Sequence, residues 1–209
     1  MPPLTKRAAI TAGTTLLALG LTVASTAHGF QWPGRGDKAK APEWGYTGDL
    51  GPAAWGGLDP AFAMCKEGKT QSPIDLRYAR RMDFVPLSFH YRSDALSITN
   101  DGHGIQVDST PGSYLLVNGR EYVLERFQFH TPSEHSIQGL PADMQLQLIH
   151  RDSQGRRAVV AVLMRAGRHP NSCLSRIAER LPASPGEKFY GRQVATNPLF
   201  LLPPERSYF

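Results

Sequence analysis

Imidazole, carboxylate and carboxamide side chains crowd one nine-residue run, Phe127-Gln128-Phe129-His130-Thr131-Pro132-Ser133-Glu134-His135, and a second run, Gln145 to His150, adds Gln145, Gln147 and His150. Imidazole titrates near neutral pH without help, so it can relay protons or bind a metal. Zinc takes thiolate, imidazole or carboxylate ligands, whereas a glutamine offers a neutral, weakly donating oxygen. His103 stands apart, in Asn100-Asp101-Gly102-His103. His28, His90 and His169 belong to no such pattern and read as surface residues. Cys65 and Cys173 are the two cysteines. Whether they pair is open; a bridge between them would close a loop of about 100 residues, worth roughly 4 to 5 kcal/mol if the geometry allowed it.

The elements that must position these groups are mostly strands. Ala95 to Asn100 and Ile105 to Asp108 flank the turn that carries His103, and Tyr114 to Val117 leads through Asn118-Gly119, a strong hairpin signal, into Tyr122 to His130. Gln145 to His150 alternates. Arg157 to Met164 is a near-continuous aliphatic run suited to a central strand covered on both faces. One helix is expected after Pro170, capped by Ser172, with Leu174, Ile177 and Leu181 on one face and Pro182 as its stop. The pattern is mainly β with peripheral helices.

Ahead of this lies a different kind of segment. Lys6 and Arg7 precede an uncharged run, Ala8 to Ala27, that ends in Ser25-Thr26-Ala27. It reads as a signal peptide over residues 1–27, cleaved after Ala27; a retained membrane anchor is the alternative, against which the Thr and Gly content and the small terminal residues weigh. Residues 28–41 read as a flexible lead-in and residues 42–209 as one domain, with no membrane span after cleavage. The formal charge is +5, two of the basic residues sit in the leader, and no basic stripe follows, which argues against nucleic acid as a partner. The expected location is periplasmic or secreted.

Four segments, Trp44-Gly45-Tyr46, Gln71-Ser72-Pro73-Ile74-Asp75-Leu76, Asn100-Asp101-Gly102-His103 and Phe127 to His135, together resemble the α-type carbonic anhydrases of the exported bacterial kind. The likeness continues more weakly through Gln145 to His150, Ala158 to Gly167 and Leu201-Leu202-Pro203. It implies a single domain around a large, twisted, mostly antiparallel sheet with a few peripheral helices. It also implies reversible hydration of carbon dioxide to bicarbonate by a zinc on three histidines, the fourth position holding a water whose pKa falls to about 7.

Carried over residue by residue, the three ligand positions are Gln128, His130 and Gln147, so one ligand of three is retained. The glutamate that orients the third ligand is Gln145 here. His103 occupies the proton-shuttle position and Glu134 the one that orients a threonine beside the zinc-bound hydroxide. His135 and His150 fall at positions the family uses for hydrogen bonding in the core. That threonine belongs to a Ser-Leu-Thr-Thr-Pro-Pro-Cys segment, which this sequence lacks, and the same segment would supply the family partner of Cys65. Read against the family, the sequence is short at its C-terminus, which would leave a strand edge uncovered.

The resemblance therefore implies zinc weakly bound or absent, and carbon dioxide hydration lost or severely impaired. The glutamines and His130 are expected to form a hydrogen-bonded cluster or to face trapped water. The competing reading is a non-catalytic binding module on the same scaffold.

Overall fold

The structure, a computed structural model, describes residues 43–80 and 82–209 and the backbone of residues 8–11. Apart from residues 8–11, the expected signal peptide and lead-in lie outside the described residues. The chain divides into two compact units, Leu16–Gln71 and Ser72–Phe209 with Met1–Thr15. In the described part of the smaller unit, helices α1 (Trp55–Leu58) and α2 (Met64–Glu67) follow a cluster in which Trp44, Tyr46 and Trp55 meet edge to face, 5.4 to 5.7 Å between centroids. The Trp55 indole N–H donates to the carbonyls of Gly45 and Leu50. Among the described residues no helix is long and apolar enough to cross a membrane.

The larger unit is built on a nine-stranded sheet. Its strands are β1 (Ala8–Thr11), β3 (Ser88–His90), β4 (Asp94–Asn100), β5 (Ile105–Asp108), β6 (Tyr114–Val117), β7 (Arg120–His130), β10 (Met144–Arg151), β11 (Arg157–Met164) and β12 (Lys188–Thr196). The main order is β1-β11-β10-β7-β5-β4-β12, with β6 joining β7 to β3, and every pairing is antiparallel. A small second sheet joins β2 (Asp75–Leu76), β8 (Ser136–Ile137) and β9 (Leu140–Pro141). The β6–β7 connection is the Asn118-Gly119 turn, with φ of 50° and 74°. Both values lie in the left-handed region, as a type I′ hairpin requires.

Register sorts the side chains into rows, because residues directly opposite one another share a face. Phe189, Ile98, Val107, Phe127, Leu148 and Val160 form one row across six strands. All but Phe189 are buried, and Ile177 and Leu201 belong to the same core. Full burial of such side chains stabilises by about 1.5 to 3 kcal/mol each. One residue along, on the opposite face, runs a row of another kind: Thr99, Gln106, Gln128, Gln147 and Ala161. The apolar row fixes the register, and the register places the polar row.

Two expectations are corrected here, for the helix and for β11, and one open question is answered. The helix, α3 (Ser172–Ala178), is capped by Asn171, whose side chain accepts from the Leu174 N–H, rather than by Ser172. It ends at Ala178, so Leu181 lies beyond it and is exposed. β11 is buried at Ala158 and from Val160 to Leu163, as its composition demands, yet it is not central: among the described residues only the four of β1 lie outside it. The cysteines are free, Cys65 exposed and Cys173 buried, with the Cys173 thiol turned to the Asn197 carbonyl.

Candidate functional site

β7 and β10 carry the site. Gln128 and His130 are two apart on β7 and project to the same face. Across the ladder, Gln147 lies opposite Gln128 and Gln145 opposite His130. The loop after β7 brings Glu134 alongside.

A single hydrogen-bonded chain runs through four of these residues, and its polarity is fixed from one end. Gln147 approaches Glu134 Oε2 at 2.5 Å, and since a carboxylate accepts, the Gln147 amide nitrogen donates. Gln147 Oε1 is then left to accept from Gln128 Nε2 at 2.9 Å. The same Gln128 nitrogen lies 2.9 Å from His130 Nε2. An amide nitrogen has no lone pair to offer, so His130 Nε2 accepts and its proton resides on Nδ1, which faces Glu134 Oε1 at 3.7 Å. His130 and Glu134 are 12% and 19% exposed at their side chains, so the chain lies half inside the protein.

Gln145 does not join this chain. It is fully buried, and its Oε1 accepts from the backbone N–H of His135 at 2.9 Å and from His135 Nδ1 at 3.0 Å. Its amide nitrogen has no hydrogen-bond partner among the described residues, at a cost of about 1 to 3 kcal/mol. His135 is thereby held as the Nδ1–H tautomer, and Ser133 Oγ ties the same loop by donating to the His135 carbonyl.

His103 is exposed, on the turn joining β4 to β5, where Asp101 Oδ1 accepts from the His103 and Gly104 N–H groups. Ile105 lies opposite Phe129, so this turn sits toward the His130 end of β7. His150 is in the core: its Nδ1 donates to the Ala158 carbonyl at 3.2 Å and its Nε2 accepts from the Tyr91 hydroxyl at 2.7 Å. Burial lowers the His150 pKa to about 4 and raises that of Tyr91. His90 stacks on Tyr114 and bonds Ser88.

Gln106 escaped the sequence reading. It stands opposite Gln128, with its amide donating to Asp108 Oδ1 at 2.6 Å. The alternation of Ile105, Gln106, Val107 and Asp108 was the available signal, since it puts Gln106 and Asp108 away from the apolar row.

Zinc does not fit this donor set. The positions offer one imidazole and two amides, and the imidazole lone pair a metal would need already accepts a hydrogen bond from Gln128. Among the described residues, no three His, Cys, Asp or Glu side chains stand together as a group that could hold a metal ion.

A wide antiparallel sheet that raises polar side chains from two neighbouring strands, closed by a loop bearing Glu134 and His135, defines the α-carbonic anhydrase class of fold. Comparison with known proteins agrees. The family described as eukaryotic-type carbonic anhydrase matches residues 50–209. A carbonic anhydrase of Nostoc sp. is 36% identical over 177 residues, 82% of this chain and 67% of that one. A carbonic anhydrase of Neisseria gonorrhoeae is 37% identical over 145 residues, 69% of this chain and 57% of that one. Among solved structures, the α-carbonic anhydrase of Thermovibrio ammonificans in complex with sulfanilamide matches with a TM-score of 0.75 and 36% identity, over 80% of this chain and 74% of that one. Dioscorin complexed with ascorbate matches with a TM-score of 0.68 and 33% identity, over 76% and 69%. The chain belongs to the eukaryotic-type carbonic anhydrase family. It spans 57 to 67% of the length of the two curated relatives named here.

Proposed function

We propose that this protein keeps the carbonic anhydrase scaffold without the family's zinc chemistry, so that hydration of carbon dioxide to bicarbonate is lost or severely impaired. The observation that carries this reading is the hydrogen bond from Gln128 to His130 Nε2, which occupies the lone pair of the one histidine left at the ligand positions. Gln147 supports it from the other side, since its amide is committed to Glu134 and to Gln128. The leader read in residues 1–27 makes the setting periplasmic or extracellular, with the leader removed.

A second reading is a non-catalytic binding module. It is favoured by the likeness to dioscorin complexed with ascorbate, a protein of this fold whose solved complex holds a small organic molecule. In that reading the half-buried amides and Glu134 receive a ligand in place of a metal.

The test is metal content of the purified protein after dialysis against trace zinc, with carbon dioxide hydration followed on the same sample. Substoichiometric zinc and hydration at the buffer rate are expected. Stoichiometric zinc with hydration that sulfanilamide inhibits would overturn the proposal. The double variant Gln128→His/Gln147→His should gain zinc, because it supplies two imidazoles and frees the His130 lone pair.

A further inference from the structure

Next to the glutamine row stands an uncommitted cation. β7 bulges against β10, where Ile149 pairs with Arg126 and His150 with Leu124. Leu124 and Phe127 are both core residues, so the extra residue sets Glu125 and Arg126 together on the opposite face, the one that carries Gln128. Arg126 is thus two residues along β7 from Gln128, with Asp108 across on β5 and Ile149 across on β10. Among the described residues no hydrogen bond or ion pair engages its guanidinium, and its Nε is buried without a partner. Both nearby carboxylates are committed elsewhere. Asp108 accepts from Gln106 Nε2 at 2.6 Å and from the Ser97 hydroxyl at 3.5 Å, and Glu125 accepts from Arg151. A buried donor without an acceptor is destabilising, and the arginine fork is shaped to hold a carboxylate by two parallel hydrogen bonds.

The neighbouring amides lack donors. Gln128 Nε2 gives its two protons to Gln147 and His130, and Gln106 Nε2 donates to Asp108. Among the described residues nothing donates to Gln128 Oε1 or to Gln106 Oε1, and the two residues stand opposite each other across β5 and β7. What this patch can still hold is one anionic group at Arg126 and hydroxyl donors at the two oxygens. Neighbouring strands lie about 4.8 Å apart, and residues on one face of a strand about 6.6 Å apart, so one small molecule can reach all three side chains. Arg151 and Arg157, opposite each other on β10 and β11, add positive charge on this face. Their influence registers at Glu125, whose carboxyl is held below its ordinary range by the Arg151 hydrogen bond and then by the charges of Arg151, Arg126 and Arg157.

We propose that this face binds a small hydroxylated carboxylate, a sugar acid, with its carboxylate paired to Arg126 and its hydroxyls donating to Gln128 Oε1 and Gln106 Oε1. The proposal rests on the reading of the site as a binding module without metal, and it supplies that module's ligand class. A neutral sugar would leave the Arg126 cation unpaired. A plain aliphatic acid would leave the amide oxygens without donors, so the site reads both halves of the molecule.

Zinc content of the purified protein is measured first, since stoichiometric zinc would defeat the metal-free reading. Binding is then measured on the same protein after treatment with EDTA, so that the two questions are answered separately. Isothermal titration with D-gluconate should give saturable binding of one molecule per chain. D-sorbitol, which has a hydroxymethyl group in place of the carboxylate, and hexanoate, which lacks the hydroxyls, should each bind more weakly by tenfold or more. Arg126→Gln should weaken gluconate by the same factor and leave sorbitol unchanged, whereas Gln106→Leu should weaken gluconate and leave hexanoate unchanged. If Arg126→Gln does not fold, the side-chain amide resonances of the unmodified protein decide, because gluconate should shift those of Gln106 and Gln128. Gluconate that does not saturate in the millimolar range, that binds no better than sorbitol or hexanoate, or that binds Arg126→Gln as tightly as the parent would overturn the proposal, as would amide resonances that gluconate leaves in place.

Discussion

At Gln147 two demands meet in one side chain. Its oxygen must accept from Gln128 and its nitrogen must donate to Glu134, and a carboxamide is the group that does both. Gln147→Ala should therefore destabilise the protein by about 1 to 3 kcal/mol, because it strips a half-buried carboxylate of a donor and Gln128 of an acceptor. Gln147→Glu is the sharper variant. It nearly preserves the shape but sets a second carboxylate against Glu134, and two such groups in one half-buried place cannot both ionise cheaply. At pH 7 it should be the less stable of the two variants. On acidification it should recover relative to the unmodified protein, as one carboxyl takes up the shared proton. Urea midpoints for the three proteins at pH 7 and pH 5 would show this. A Gln147→Glu protein as stable as the parent at pH 7 would mean that the polarity assigned to the chain is wrong.

The same scale shows what a sequence can disclose of a site. The meeting of Gln128, His130 and Gln147 followed from two-residue spacing on a strand together with the family resemblance. Gln145 was expected in that cluster and lies outside it. Its partner, His135, is delivered by a loop whose fold depends on Ser133 and Ala142 bonding each other across nine residues, which no local pattern records.

Among the elements, the β6–β7 hairpin was legible because its turn chemistry is local. Asn118 and Gly119 adopt positive φ, and a Cβ placed on Gly119 would meet no atom within 4 Å. The cost of Gly119→Ala is then backbone strain alone, about 1 kcal/mol, with no clash added. A loss of that size in chemical denaturation is expected, with the metal content of the Gln128→His/Gln147→His protein unaffected by the extra change. A loss several times larger would show that the turn does more than join two strands. β12 was not legible for the opposite reason. Gly191, Arg192 and Gln193 interrupt its alternation, and it is held by Phe189 and Val194 packing on a core assembled from distant segments. β11 was legible as a strand and misread as central, since composition reports burial on both faces and is blind to which neighbour lies in the plane of the sheet.

For the whole molecule, acid stability hangs on a group far from the sheet's polar row. His150 is buried and neutral, with Nδ1 spent on the Ala158 carbonyl and Nε2 on the Tyr91 hydroxyl, and burial lowers its pKa from 6.5 to about 4. Between those values the unfolded chain binds a proton that the folded chain refuses, so stability must rise with pH across that window. The contribution is complete above pH 6.5 and is lost as pH falls toward 4, a change of about 3 kcal/mol for a shift of this size. The carboxylates whose pKa is lowered, Asp75, Glu125 and Asp152, act in the same direction but below their ordinary values of 3.8 to 4.5. The interval from about pH 4.5 to 6.5 therefore reports on His150. His150→Gln should be less stable at pH 7, where it forfeits the bond geometry of the imidazole, yet its stability should change less with pH across that interval. Denaturation midpoints of both proteins at half-unit steps would decide it. Parallel curves would place the acid sensitivity elsewhere; convergence as pH falls would show that one core histidine sets the acid limit of the fold.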